Sequence, residues 1–316
     1  MKILDPFSAS YMLVNKLLNW LYDSDFFTGR LHGPVVSVGS LSAGGAGKTP
    51  FVILLAKLLE QHGIEFDVLS RGYGRRSKGT FIVDADGTSE EFGDEPLLIA
   101  RKLNAPVIVG ESRFLAGQLS EQTYGPRLHL LDDGFQHREL SRDFDVVLLT
   151  AKDLHDRLYP MGLLREPLSA LGRAHAIVLM DEGMEFHAEP YKLVWRAHRG
   201  IRIGETPPKQ VAFCGIARPQ QFFRQLRAAG LEPAAEIKFG DHHHYTERDV
   251  EKLLRAREAA KTMGFVTTEK DAINLGAFAE KLAPLHVIEV RMELEEPGLA
   301  VEAIQAEIDA RARSVA

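Results

Sequence analysis

Residues 35–50 read Val35-Val36-Ser37-Val38-Gly39-Ser40-Leu41-Ser42-Ala43-Gly44-Gly45-Ala46-Gly47-Lys48-Thr49-Pro50. A β-branched run feeds a glycine-rich loop, and Gly47-Lys48-Thr49 then opens an apolar helix. Strand, loop and helix in this order predict a phosphate-binding P-loop. Gly44, Gly45, Ala46 and Gly47 give a backbone that can curl around an oxyanion with its N–H groups pointing inward. The helix from Lys48 adds its positive end. Lys48 is expected to reach the β- and γ-phosphates, and the Thr49 hydroxyl to hold Mg2+. One position departs from the usual pattern, which has Gly five residues before Gly47; here it is Ser42.

Outward from this loop, strands and helices alternate. Strands are expected at 35–41, 65–70, 80–83, 106–109, 127–131, 146–150, 177–180 and 193–197, with helices at 48–62, 95–103 and 113–122. This order predicts an α/β, P-loop NTPase-like fold, a largely parallel sheet flanked by helices. Ligands in such sheets sit at the carboxyl ends of the strands. From Arg199 to Lys209 the chain turns Gly/Pro-rich, which predicts a boundary: a P-loop domain over 1–204 and a smaller α/β domain over 205–316. The second unit reads as strands at 210–214, 235–239, 264–267 and 286–290, with helices at 219–229, 246–261 and 299–313.

Ahead of the P-loop, residues 5–22 predict an amphipathic helix that extends to about residue 25. Asp5 can cap it, Pro6 suits its first turn, and Leu4, Phe7, Tyr11, Val14, Leu18 and Leu21 form one apolar stripe. The stripe can pack on its own domain or lie in a membrane surface, with Trp20 and Tyr22 at the headgroup level.

Composition narrows the function classes. The 316 residues suggest two domains, and 45% hydrophobic with 26% charged content is ordinary for a globular protein. A net charge of −6 gives a nucleic-acid partner no support. The single cysteine, Cys214, excludes an intrachain disulfide framework and a Cys-based zinc cluster, which fits a reducing cytoplasm. No apolar run reaches the length of a membrane span, and no signal peptide is expected.

Polar clusters fall after the strands. Leu128–Leu131 leads into Asp132-Asp133-Gly134-Phe135-Gln136-His137. An apolar strand ending in carboxylate is the Walker-B arrangement, which sets an acid beside the Mg2+ held by Thr49. Gly93-Asp94-Glu95-Pro96 precedes a helix; Asp94 can cap it or guide a hydroxyl proton. Asp241-His242-His243-His244-Tyr245 can hold metal, complete an acid–base pair or remain a solvated loop. Arg71 and Tyr73 in Ser70–Arg76, Arg113 in Gly110–Arg113, and Arg165 with Glu166 in Leu164–Pro167 suit recognition of a substrate that already carries phosphate. Thr267-Thr268-Glu269-Lys270-Asp271 can contact nucleotide or cap a helix.

Taken in order, these motifs (44–50, 70–75, 93–96, 132–137, 164–167, 241–245 and 267–271) resemble the tetraacyldisaccharide 4′-kinase family, the lipid A 4′-kinases of Gram-negative bacteria. The resemblance covers nearly the whole chain; Ser40 stands where many members have Asn. It implies that ATP phosphorylates the 4′-hydroxyl of a tetraacylated glucosamine disaccharide 1-phosphate to give lipid IVA. It also implies Mg2+ and peripheral attachment to the cytoplasmic face of the inner membrane, which favours membrane contact for the N-terminal helix; the smaller domain over 205–316 is expected to close over the active site. No nucleic acid or obligate protein partner is implied. Carried over by position, Lys48 and Thr49 bind phosphates and Mg2+, Asp132 and Asp133 support the metal, and Asp94 with His242 resembles the family's acid–base dyad. Arg71, Tyr73, Arg113, His137, Arg165 and Glu166 become substrate or nucleotide contacts.

A P-loop ATPase switch acting at a membrane surface is the alternative. Many such proteins carry a Lys where this chain has Ala43, which argues against it. A regulatory GTPase would need guanine-reading motifs that neither Asp133-Gly134 nor Thr268–Asp271 matches.

Overall fold

The computed structural model describes residues 28–315 apart from 188, 190, 191 and 208. The expected helix at 5–25 lies outside the described residues. Twelve strands form one sheet: β1 (Val35–Ser40), β2 (Phe66–Ser70), β3 (Phe81–Ile82), β4 (Val107–Val109), β5 (Leu128–Asp132), β6 (Phe144–Leu149), β7 (Ala176–Leu179), β8 (Leu193–Arg202), β9 (Val211–Cys214), β10 (Ala235–Lys238), β11 (Phe265–Thr268) and β12 (Leu285–Leu294). Their spatial order is β10-β9-β11-β12-β8-β7-β6-β1-β5-β2-β4-β3. Every neighbouring pair is parallel except β12 with β8 and β3 with β4. The fold is therefore α/β and P-loop NTPase-like.

Nine α-helices accompany the sheet among the described residues: α1 (Lys48–Gln61), α2 (Ser89–Phe92), α3 (Asp94–Lys102), α4 (Arg113–Tyr124), α5 (Pro219–Ala228), α6 (Glu247–Ala260), α7 (Glu269–Leu275), α8 (Phe278–Lys281) and α9 (Pro297–Val315). Strands β1, β2 and β4–β7 are buried along their whole length, because helices or loops cover both faces. On one face α1 contributes Phe51, Val52, Leu55, Ala56 and Leu59, and α3 contributes Leu97, Leu98 and Ile99. Each of these side chains larger than Ala stabilises the fold by about 1.5–3 kcal/mol relative to exposure. On the other face α4 packs Ala116 against Leu69, Ile108 and Leu131.

The sheet does not end where the Gly/Pro-rich stretch begins. Arg199–Arg202 are still part of β8, and Gly200 sits opposite Arg291 of β12. Gly200 is tolerated there because the ladder asks for backbone hydrogen bonds and the position faces solvent. Strand β8 pairs parallel with β7 through Leu193–Arg196, then antiparallel with β12 through Ala197–Arg202. This reversal turns the strands beyond it, so the carboxyl ends of β9 and β11 face the carboxyl ends of β1, β2 and β5 across a cleft.

Candidate active site

The P-loop leaves β1 and enters α1 through three glycines in the left-handed region, Gly44 (φ 71), Gly45 (φ 71) and Gly47 (φ 87). A side chain at any of these would be strained. Ser42 has no such requirement. It lies outside the left-handed region and forms an isolated antiparallel bridge to Leu164, with its carbonyl accepting the Ser40 hydroxyl at 2.8 Å. The departure from the usual glycine pattern is thus absorbed by a neighbouring turn. That turn is sewn on further by Ala43 N–H to the Leu163 carbonyl and Arg165 N–H to the Leu41 carbonyl.

Asp132 ends β5, in register with Val38 of β1, and Asp133 follows in a left-handed conformation (φ 53). Asp and Asn accept this region more readily than other side chains. Arg165 grips Asp133 with both ends of its guanidinium, Nη1 to Oδ2 at 3.1 Å and Nη2 to Oδ1 at 2.8 Å. Lys48 Nζ stands 3.4 Å from Asp133 Oδ1 and 3.4 Å from the Ser40 hydroxyl. Burial resists ionisation of Asp133, but Lys48 and Arg165 hold its carboxyl below the usual range.

Asp132 is different. Its Oδ2 accepts the Ser70 hydroxyl at 3.4 Å, while Oδ1 is buried with no partner among the described residues. Burial first, then the charges of Glu95 and Asp133, push its pKa up to about 7. An orphaned, buried carboxylate oxygen in register with the strand that feeds the P-loop, with Thr49 buried at the start of α1, fits Mg2+. That ion uses one or two carboxylates together with substrate phosphates and does not require an all-protein cage. Consistently, no cluster of three or more His, Cys, Asp or Glu side chains suited to a metal occurs among the described residues.

Across the cleft, His242 Nδ1 lies 2.9 Å from Asp94 Oδ2 and 3.0 Å from Oδ1. Gly93 (φ 89) caps α3, so Asp94 is the first helical residue and its side chain is free for other bonds. Asp94 is 4% exposed and also accepts from Asn274 Nδ2 at 3.1 Å and from the Glu95 N–H at 2.8 Å. Burial opposes its charge, but His242, Lys270 and Asn274 outweigh that and keep its carboxyl below the ordinary value. The Asp94 hydrogen bond raises the His242 pKa in turn. His242 is held in a left-handed backbone (φ 52), its N–H donates to the Gly215 carbonyl, and its ring lies 5.0 Å from that of Tyr73.

The other two histidines of the triplet do not join this pair. His243 stacks on Phe239 and bonds Asp249 at 3.1 Å, a structural role, and His244 is exposed. In the Thr267–Asp271 run the capping role and the site role divide. The Thr268 side chain caps α7, and Asp271 binds the Gly215 N–H and the Tyr245 hydroxyl. Lys270 reaches Glu95 of α3.

The remaining candidates sort by partner. Arg113 is 4% exposed, and burial with the nearby Arg71 charge pushes its pKa down to about 10. Its backbone N–H donates to His137 Nε2, and burial with Arg113, Arg142 and Arg71 pushes His137 down to about 3, so this imidazole is neutral. Tyr73 is 61% exposed beside His242. Glu166 is buried, with one oxygen bound by Gln136 and the other by Arg173, so it props the turn after β5. Sequence reasoning gave Gln136 no role of its own and did not single out Asn274, Arg199 or Arg218. Of the last three, Asn274 alone carried a signal, one turn beyond Lys270 on the same helix.

A cleft of about 400 Å³ runs along the P-loop to His242, lined by Gly44–Pro50, Glu95, Lys102, His242 and Glu269–Lys270, with Ile53, Leu54, Leu98 and Phe222 as an apolar wall. A P-loop, a carboxylate orphaned beside it and a hydrogen-bonded Asp–His pair opposite define a P-loop phosphotransferase acting on a hydroxyl.

The comparisons with known proteins narrow this class. The profile of the tetraacyldisaccharide-1-P 4′-kinase family matches residues 1–309. A tetraacyldisaccharide 4′-kinase from Koribacter versatilis is 48% identical over 314 residues, 95% of this chain and 97% of that protein. The namesake from Aquifex aeolicus is 38% identical, covering 92% and 94%. The crystal structure of LpxK from Aquifex aeolicus, an "apo" form in complex with ATP, superposes with a TM-score of 0.80 at 34% identity, covering 96% of this chain and 98% of that one. This chain belongs to the tetraacyldisaccharide-1-P 4′-kinase family. Its reaction is phosphorylation of a lipid A precursor at the 4′-hydroxyl.

Proposed function

We propose that the chain transfers the γ-phosphoryl group of ATP in line to the sugar 4′-hydroxyl, with Asp94 taking the hydroxyl proton. The contact between Asp94 and His242, at the cleft that holds the P-loop, carries this reading. His242 keeps Asp94 ionised and orients it. Lys48 and the P-loop N–H groups bind the phosphates and neutralise charge that develops on them. Thr49 and Asp132 would hold Mg2+, with Asp133 beside them; the ion supplies further charge neutralisation when bound. Arg165 holds Asp133 in place through its two-pronged contact. Arg71, Arg113 and Tyr73 line the approach of the phosphorylated lipid.

The unit from residue 205 onward closes over the cleft, since its strand ends face the P-loop. A substrate with four acyl chains stays in the bilayer, because each methylene exposed to water costs about 0.8 kcal/mol. The enzyme therefore works on the cytoplasmic face of the inner membrane, with residues 5–25 as its contact. No described helix is long and apolar enough to cross a membrane.

Radiolabelled ATP tests the reaction: label is expected in a tetraacylated disaccharide 1-phosphate, whereas hydrolysis with no labelled lipid would favour an ATPase switch. Liposome flotation tests the membrane contact. A chain lacking residues 1–25 is expected to float less, and equal flotation would refute that assignment.

A further inference from the structure

Two arginines that line the cleft, Arg199 and Arg218, have no part in the reaction as described. Arg199 lies on β8, and Arg218 lies in the loop between β9 and α5. Both line the cleft together with the P-loop. Arg218 lies directly against that loop: a Cβ built on Gly45 would meet its Nε at 2.5 Å and its Cδ at 2.7 Å. Its neighbour Ala217 approaches Gly44 in the same way, at 3.2 Å.

Three arginines elsewhere in the fold have anionic partners: Arg165 binds Asp133, Arg173 binds Glu166 and Arg142 binds Asp145. Arg199 and Arg218 have none among the described residues. Arg218 Nη2 and Arg199 Nε are buried without a hydrogen bond. The two also repel each other, and burial together with the Arg218 charge lowers the Arg199 pKa. A half-buried pair of like charges without a counterion is unfavourable unless a ligand brings the missing negative charge.

We propose that Arg218, backed by Arg199, is a phosphate clamp that the second unit lays over the polyphosphate held by the P-loop. The proposal rests on the reading of this cleft as the ATP site and adds residues that belong to none of the motifs. A planar guanidinium suits two-pronged binding of phosphate oxygens. Arg218 follows β9 and Gly45 follows β1, so the clamp ties the two facing strand edges together whenever a polyanion is bound. Nucleotide occupancy thereby becomes one of the forces that hold the His242 side of the cleft against the Asp94 side.

The test uses the full chain and ATP without lipid. Titration calorimetry and thermal melting compare wild type with Arg218→Gln, Arg199→Gln and Arg218→Lys. Removing either charge relieves the repulsion, so the nucleotide-free Tm is expected to rise in both Gln variants. ATP affinity is expected to fall about 10- to 100-fold, the loss of one or two charge-assisted hydrogen bonds. The ATP-induced rise in Tm shrinks in step, and Arg218→Lys recovers part of the affinity. An Arg218→Gln chain that binds ATP as wild type does would overturn the clamp alone. So would Gln variants that melt lower without nucleotide yet keep the full ATP-induced shift. A wild-type chain that fails to bind ATP would overturn the clamp and the ATP site together.

Discussion

Asp94 and His242 meet at 2.9 Å although 148 positions separate them in the chain. Each alters the other's charge. Asp94 is held below its ordinary pKa, so its contribution to stability is present above that value and lost as pH falls through the lowered one. His242 is raised, so its contribution is present below its ordinary value and lost as pH rises through the raised one. The pair is intact between those limits.

Asp94→Asn is expected to lower kcat by about 10²- to 10⁴-fold, the usual worth of a general base. Wild-type turnover in that variant would remove Asp94 from the mechanism. His242→Ala leaves burial of Asp94 less opposed, so the acidic limb of the kcat/KM profile moves to higher pH. A limb that stays in place would show that His242 does not tune Asp94.

Asp132 makes metal binding pH-dependent. With a pKa raised to about 7, it carries a proton in about half of the molecules at neutral pH, and Mg2+ must displace that proton. Mg2+ affinity in the presence of ATP therefore increases as pH rises through about 7, and binding releases a proton. Calorimetry in buffers of different ionisation enthalpy reads that proton directly. Without metal the sign for stability is opposite: the folded chain binds more protons than the unfolded one, so Asp132 lowers stability as pH rises from its ordinary value toward 7. Asp132→Asn is expected to abolish both effects along with Mg2+-dependent turnover.

Gly39 lets β1 approach the turn that carries the two aspartates. A Cβ there would stand 2.4 Å from Phe135 Cβ and 2.9 Å from Phe135 N. Gly39→Ala is expected to cost about 1–3 kcal/mol, the range for overpacking a dense core, and to lower activity by shifting Asp132 and Asp133. Denaturant titration measures the first effect. Unchanged stability would mean that the turn can move away freely.

A buried ionic cluster far from the cleft sets another limit. His129 is fully buried, with Nδ1 2.8 Å from Asp67 Oδ2 and Nε2 3.2 Å from Glu121 Oε1. Asp67 also accepts the Ser120 hydroxyl at 2.5 Å, and Glu121 accepts the Gly33 N–H at 2.7 Å and faces His32. Burial opposes charge on His129, but the two carboxylates raise its pKa. The stabilisation is complete below the ordinary His value and is lost as pH rises through the raised one. His129→Leu would leave both carboxylates without their cation, at a cost of about 3–5 kcal/mol. The Tm of this variant should lack the alkaline decline contributed by His129; a decline identical to wild type would assign it elsewhere.

Much of the first half was legible because its signals are local. A β-branched run, a glycine loop and an apolar helix lie within thirty residues, and the aspartates directly follow an apolar strand. Ser42 looked like a flaw in that pattern. Only the Leu164 bridge shows why no glycine is needed there. Gly200, in the Gly/Pro-rich stretch from Arg199, belongs to a strand whose pairing with β12 no local pattern announces. Resemblance named Glu166 as a contact, and only the structure shows its two partners, Gln136 and Arg173.

By itself the sequence determined the P-loop, the β/α alternation and the residue types available for phosphoryl transfer, since backbone propensity and side-chain period act over a few residues. Resemblance to a known family could name Asp94 and His242 together but could not bring them into contact. Tertiary structure alone decided which groups face each other. The antiparallel joint of β8 with β12 reverses the strands beyond it, and so brings His242, Lys270 and Arg218 to Asp94, Glu95 and Gly45. These contacts span 148 to 175 positions for the Asp94 and Glu95 pairs. They exist only because hydrogen-bonded strand register carries direction across the sheet, which short stretches of sequence do not encode.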